Sequence, residues 1–266
     1  MEIRVFERTG SFAPHAVELA LERTHMAELT GGFPQGIGRD ASAGDRFERL
    51  SMAQRDVDRA APALGRFAGK LAAVLPGNHD YVSGKPTDFL AYFGPSAGER
   101  GYFARTLDGW LVIGLDSNQA AAGLDRQYAW LEATLEEHRD LRCTLVMWHA
   151  PLFSSGRHRG GGEHMRRFWT LLDAHGVDVS LHGHEHFYEA FAPLDAAGRP
   201  SASGIRSFVV GTGGARLRGF DRPSGASRVR VSSHGVLRLT LDDGAYAWQF
   251  IEVGGRIADS GQARCR

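Results

Sequence analysis

The sequence contains no run of about 18 apolar residues, so it offers no membrane-spanning helix. It lacks an excess of either charge: 31 basic and 31 acidic residues leave a formal net charge of zero. No basic block forms a nucleic-acid footprint, and no acidic tail is present. Cysteine is scarce, at two in 266 residues, which excludes a disulfide-built scaffold and a multi-cysteine zinc module. Internal repeats and long low-complexity linkers are also absent. No signal-peptide pattern opens the sequence, and no compartment is assigned from this. The remaining composition, 42% hydrophobic and 23% charged, is that of a globular chain long enough for one large α/β domain or two small ones.

What the sequence does have is clustered histidine. Leu181-His182-Gly183-His184-Glu185-His186 puts three imidazoles within five positions. If the segment is extended, alternate side chains share a face, so His184 and His186 meet at one centre. Imidazole is the commonest metal ligand, and a metal site is the first expectation. Two further segments agree. Pro76-Gly77-Asn78-His79-Asp80 follows the apolar run Leu71 to Leu75, and Trp148-His149-Ala150-Pro151 follows Thr144 to Met147. The histidine cluster itself follows Val177 to Leu181. Each apolar run reads as a buried strand, so three strand ends each deliver nitrogen or oxygen donors. In open α/β sheets, ligands bind outside the carboxyl ends of strands. His182 reads as a neighbour of the site or a surface group, not as a ligand.

Gly77-Asn78-His79-Asp80, Trp148-His149-Ala150-Pro151 and Gly183-His184-Glu185-His186 stand in the order and spacing of the calcineurin-like metallophosphoesterases. The chain resembles their purple-acid-phosphatase-like branch from about Leu64 onward. The resemblance implies an α/β fold, a β-sandwich flanked by helices in four layers (α/β/β/α). It implies two divalent or trivalent metal ions, Fe, Zn or Mn. By position, Asn78, His149 and His184 match ligands of one metal and His186 a ligand of the second. His79 matches a residue beside the substrate phosphate, and His158, nine positions after His149, matches a second phosphate-contacting histidine. The implied reaction is hydrolysis of a small-molecule phosphoester by a metal-bound hydroxide at a dinuclear centre. His79 protonates the leaving group or stabilises the transition state, and His158 orients the phosphate. No nucleic-acid or membrane partner is expected.

The N-terminal part departs from this pattern. Family members open with a strand ending in an aspartate for the second metal, then supply a Gly-Asp carboxylate that bridges both. Met1 to Phe6 is a weak alternating run ending in Glu7-Arg8, and no residue matches the first aspartate. Asp116, in Gly114-Leu115-Asp116-Ser117-Asn118, ends a strand that carries no ligand in the family. Gly44-Asp45 is the candidate bridge, 33 positions before Asn78. The position that carries a tyrosine in the purple enzymes is Glu48. We therefore divide the chain into an atypical segment, 1–43, and a metallophosphoesterase domain, 44–266. Three explanations compete: a truncated or misread start, a site rebuilt with another ligand, or lost activity. The onset of likeness near Leu64 favours the first. Three functions stay open: a phosphomonoesterase, which leads; a phosphodiesterase or nucleotidase on the same centre; and a non-catalytic protein holding one metal.

Elsewhere the residues read as scaffold. Leu124, Tyr128, Leu131 and Leu135 have helical spacing, as do Met165, Phe168 and Leu172 before Gly176. Two strand-like runs flank Asp242-Asp243-Gly244, a hairpin. Arg157, Arg159, Arg166 and Arg167 surround Gly160-Gly161-Gly162; they are either phosphate contacts or, as preferred for any one of them, solvated charges. Gly213-Gly214 reads as tight backbone packing. Cys143 and Cys265 either join the tail to the domain or stay free thiols, the latter preferred.

Overall fold

A computed structural model of the chain describes residues 2–7, 16–22, 71–81, 84–157 and 162–266. Two β-sheets face each other. The first, of six strands, runs in the order β13-β12-β11-β2-β1-β3. Its members are β1 (Glu2–Glu7), β2 (Ala16–Glu22), β3 (Leu71–Leu75), β11 (Gly235–Asp242), β12 (Ala245–Glu252) and β13 (Ile257–Arg264). All its pairings are antiparallel. β1 and β2 fall inside the segment 1–43, and their backbones occupy the two places between β3 and β11. The hairpin expected around Asp242-Asp243-Gly244 is present, with Asp242 opposite Ala245.

The second sheet, of seven strands, has the order β10-β8-β9-β7-β6-β5-β4. Its centre is parallel: β5 (Trp110–Gly114), β6 (Cys143–Trp148), β7 (Val179–His182) and β9 (Arg206–Val210). Antiparallel β4 (Phe103–Leu107), β8 (Tyr188–Phe191) and β10 (Ser227–Val231) complete its two edges. Helix crossovers make the parallel pairing possible. α2 (Ala121–Glu137) links β5 to β6, and α3 (Arg166–Ala174) links β6 to β7. α3 stops where Gly176 takes the left-handed conformation at φ 72° and the Val177 N–H returns to the Leu172 carbonyl at 3.1 Å.

Strands buried on both faces explain the unbroken apolar runs. Trp110, Val112, Leu145 and Met147 point into the layer between the sheets, against Leu237, Leu239 and Phe250. Their neighbours Leu111, Ile113, Val146 and Trp148 point outward to α2 and α3, meeting Leu131, Phe168 and Trp169. On the far side of the first sheet, Val74 packs against Phe89 of the short helix α1 (Thr87–Phe93). Helix, sheet, sheet and helix thus form the four layers expected. Each fully buried large apolar side chain contributes about 1.5–3 kcal/mol.

One expectation fails. Cys143 and Cys265 are bonded, with Cα atoms 5.5 Å apart, although free thiols were preferred. The bond joins the start of β6 to the residue after β13 and so ties one sheet to the other. Beside it, the Asp178 carboxylate accepts the Thr144 N–H at 2.8 Å and the Arg266 N–H at 2.7 Å. Folding alone brings these two cysteines, 122 positions apart, into range.

Candidate metal centre

β6 and β7 run parallel with Trp148 opposite His182, so their carboxyl ends finish side by side. One further ladder bond, Gly183 N–H to the His149 carbonyl at 2.9 Å, sets His149 and His184 together just beyond the sheet. The third contributor comes from the other sheet. Past the end of β3, Asn78–Asp80 forms a single 3-10 turn. Asp80 closes it by accepting the Gly77 N–H at 2.7 Å.

Three donor atoms converge. His149 Nε2 lies 2.8 Å from Asn78 Oδ1 and 3.1 Å from His184 Nδ1, and His184 Nδ1 lies 3.3 Å from Asn78 Oδ1. No placement of protons makes all three contacts favourable. A proton on one ring nitrogen leaves the other nitrogen facing the amide oxygen lone pair to lone pair, and protons on both set two N–H groups against each other. A cation satisfies all three atoms at once. Ligands held about 2.1 Å from one ion stand about 3.0–3.4 Å apart for octahedral to tetrahedral angles, which matches the observed spacing. The donor set therefore fits a metal.

The surroundings disfavour a proton on His149 and aim the His186 ring. His149 is buried, and burial holds its imidazole well below the ordinary histidine range, with His184, His79 and His186 acting in the same direction. Its Nδ1 is buried without a hydrogen-bond partner among the described residues, while Nε2 faces the cluster. His186 is buried too, and its Nδ1–H donates to the Arg216 carbonyl at 2.8 Å. That bond fixes the tautomer and leaves Nε2 with the lone pair a ligand requires. His79 stands exposed on the same turn as Asn78, where an incoming substrate can reach it.

The His182–His186 segment is not extended, so the condition for His184 and His186 to share a strand face is not met. The strand ends at His182, and His184 takes φ 64°, a left-handed value uncommon for a residue with a side chain. His184 therefore joins Asn78 and His149, and the His186 Nδ1–H is bonded to the Arg216 carbonyl. His182 is a buried structural group. Its Nδ1–H donates to the Trp148 carbonyl at 3.3 Å, Ser180 Oγ lies 3.1 Å from Nε2, and burial lowers its pKa to about 3. Asp45 and His158, expected as the bridging ligand and a phosphate contact, lie outside the described residues, as do Glu48, Arg159, Gly160 and Gly161. The chain leading toward His158 is pinned at Ser155, whose N–H reaches buried Glu189 at 2.8 Å and whose hydroxyl bonds the same carboxylate. Arg166 is engaged by Glu163 at 2.6 Å and Arg167 by Asp125 at 2.6 Å, so both serve the helix surface.

Close approach of backbone is tightest at Gly211. A Cβ on Gly211 would lie 1.7 Å from the Glu185 carbonyl oxygen. Gly214, expected to pack tightly, has open space and φ 134° instead. Sequence reading missed Gly211, Arg216 and Glu189 as supports. The signal available was only a glycine-rich strand end after Phe208 to Val210.

The family model described as calcineurin-like phosphoesterase matches residues 41–188, more than half of the chain. The chain belongs to the calcineurin-like phosphoesterase family. Within it, the purple-acid-phosphatase-like branch is the nearer relation. Purple acid phosphatase 21 of Arabidopsis thaliana is 30% identical over 206 residues, covering 68% of this chain and 47% of that protein. Purple acid phosphatase 18 of the same plant is 28% identical over 201 residues, covering 66% and 46%. The chain thus spans about half the length of the curated relatives it matches. Among solved structures, the purple acid phosphatase PPD1 from yellow lupin (Lupinus luteus) seeds shares the fold with a TM-score of 0.61 at 20% identity, over 71% of this chain and 37% of that one. A Plasmodium protein described as GAP50, the anchor in the inner membrane complex, reaches a TM-score of 0.51 at 16% identity, over 62% and 53%. At these identities the two structures speak for fold alone. The matched stretch 41–188 includes every residue expected to bind metal or phosphate, Asp45 and His158 among them.

Proposed function

We propose that this chain is a metal-dependent phosphomonoesterase acting on small-molecule phosphoesters. The observation that carries the proposal is the convergence of Asn78 Oδ1, His149 Nε2 and His184 Nδ1 within 2.8–3.3 Å at the ends of strands from both sheets. These three would hold one metal, and His186 with Asp45 would serve a second. Fe, Zn and Mn all suit such a nitrogen and oxygen donor set. Bound metal supplies positive charge to the phosphoryl oxygens and acidifies water for in-line attack. The protein's own contribution is positional and protonic. His149 stays neutral because it is buried, so it offers its lone pair without competition from protons across the physiological range. His186 is held in one tautomer by the Arg216 carbonyl. His79, exposed beside Asn78, would donate a proton to the departing alkoxide. His158 is assigned to orienting the phosphate by its place in the family pattern.

The test is hydrolysis of monoester and diester model substrates by metal-loaded protein, repeated with His79→Ala. Preference for the monoester, and a His79→Ala loss of about 10²–10⁴-fold in turnover on an unactivated ester with metal content retained, supports the reading. Preference for the diester moves the assignment to phosphodiesterase. Loss of metal in His79→Ala refutes its role as proton donor.

A second reading is a non-catalytic protein with one metal. No residue matches the family's first aspartate, and Asn78, His149 and His184 form a three-donor cluster without it. Metal uptake without hydrolysis of either ester class would favour it.

A further inference from the structure

The corner after β5, Asp116-Ser117-Asn118, has no part in the proposed chemistry, yet it carries a fully buried carboxylate. That carboxylate accepts the Tyr81 hydroxyl and, at 2.9 Å, the Asn118 N–H. The Asn118 side chain donates to the Pro76 carbonyl at 3.1 Å. Tyr81 and Pro76 are the two ends of the short stretch that carries Asn78 and His79. Both ends are thus gripped by one corner of the other sheet. The corner is itself fixed from α2, where the Gln127 amide accepts the Asp116 N–H at 2.8 Å and donates to the Asp116 carbonyl at 3.0 Å. It also reaches the neighbouring ligand strand: Ser117 Oγ accepts the Ala150 N–H at 3.2 Å, next to His149.

We infer that Tyr81, Asp116 and Asn118 form a clamp that positions the Asn78–His79 turn against His149, making them positioning residues for the metal centre. The inference rests on the proposed metal site. Its logic is geometric. Asn78 and His79 are exposed on a three-residue turn that buries none of its residues. The Asn78 amide must nevertheless stay near 3 Å from two imidazoles on the other sheet. Hydrogen bonds at both ends of the turn, anchored to a buried carboxylate on that same sheet, supply this precision.

The experiment titrates metal-free chain with Zn²⁺ for wild type, Tyr81→Phe, Asn118→Ala, Asp116→Asn and a control, Trp110→Phe. The control removes a buried hydrogen bond (Trp110 Nε1 to the Asp242 carbonyl, 3.0 Å) at the opposite end of β5. Melting temperature is recorded for each. Tyr81→Phe and Asn118→Ala should each weaken Zn²⁺ binding about 10–100-fold, the range for groups that orient ligands. Asp116→Asn, whose single amide oxygen cannot accept both the Tyr81 hydroxyl and the Asn118 N–H, should weaken Zn²⁺ binding by a similar factor. Trp110→Phe should melt earlier with wild-type affinity. Folded Tyr81→Phe and Asn118→Ala with wild-type affinity overturn the clamp. So does a Trp110→Phe loss equal to theirs, because general destabilisation would then explain the effect. If wild type takes up no Zn²⁺, the metal-site reading fails and the clamp with it.

Discussion

Replacing Gly211 by alanine tests how tightly the fold holds the ligand segment. The added carbon would sit 1.7 Å from the Glu185 carbonyl oxygen, half the 3.4 Å at which ordinary van der Waals contact begins. Neither partner can step aside easily. The Gly211 N–H is bonded to the Phe187 carbonyl at 3.0 Å, and the Glu185 N–H to the Gly183 carbonyl at 2.7 Å. Relief requires the 184–186 backbone to retreat by more than 1 Å, and that backbone carries His184 and His186. Overpacking of this kind costs about 3 kcal/mol, the upper part of its usual range. For a chain of 266 residues this lowers the melting temperature by about 5 °C. A shift of about 1 Å in a ligand or catalytic group costs on the order of 100-fold in function. Thermal denaturation followed by circular dichroism, together with Zn²⁺ titration of the folded variant, measures both effects. A Gly211→Ala chain that melts and binds like wild type would refute the claim that this close approach sets the ligand positions.

Further outcomes follow from the same framework. Cys143→Ser frees a loop of 122-residue separation, and the chain-entropy estimate for such a loop is about 5 kcal/mol; urea denaturation should show a comparable loss, and unchanged stability would contradict the cross-link between sheets. Burial raises the Asp116 carboxyl to about 6, with the Tyr81 hydroxyl and the Asn118 N–H offsetting part of the effect. The folded state therefore holds a proton that the unfolded state releases near pH 4. This contribution to stability is full below the unfolded value and is lost as pH rises through about 6. Wild-type stability should fall relative to Asp116→Asn by up to about 3 kcal/mol across that window, at 1.36 kcal/mol per unit of pKa; parallel pH profiles would count against it.

Much of the fold was legible because its strands are buried on both faces. Leu71 to Leu75 and Leu145 to Met147 are apolar throughout, and the structure places both runs in strands. The two helices and the final hairpin were legible for a different reason, since periodicity and turn residues act locally. The sequence could not show that β3 belongs to one sheet while β6 and β7 belong to the other, so Asn78, His149 and His184 meet across a sandwich and not along one sheet edge. The course of His182 to His186 was misread because a long-range bond decides it: Gly183 pairs with His149, the strand stops, and His184 turns left-handed. Arg216 and Gly211 contribute through backbone atoms, which no side-chain pattern advertises. The cysteine pair escaped for a related reason, being joined only by the packing of two sheets.

Metal content is the most direct test of the central claim that Asn78, His149 and His184 form a metal site. Elemental analysis of wild type and His149→Ala, both purified without chelator, should find at least one metal ion per wild-type chain that is lost in the variant. Two ions per chain would agree with a dinuclear centre completed by His186 and a carboxylate, and one with the single-metal reading. A wild-type chain without metal, or a His149→Ala chain carrying as much as wild type, would contradict the claim.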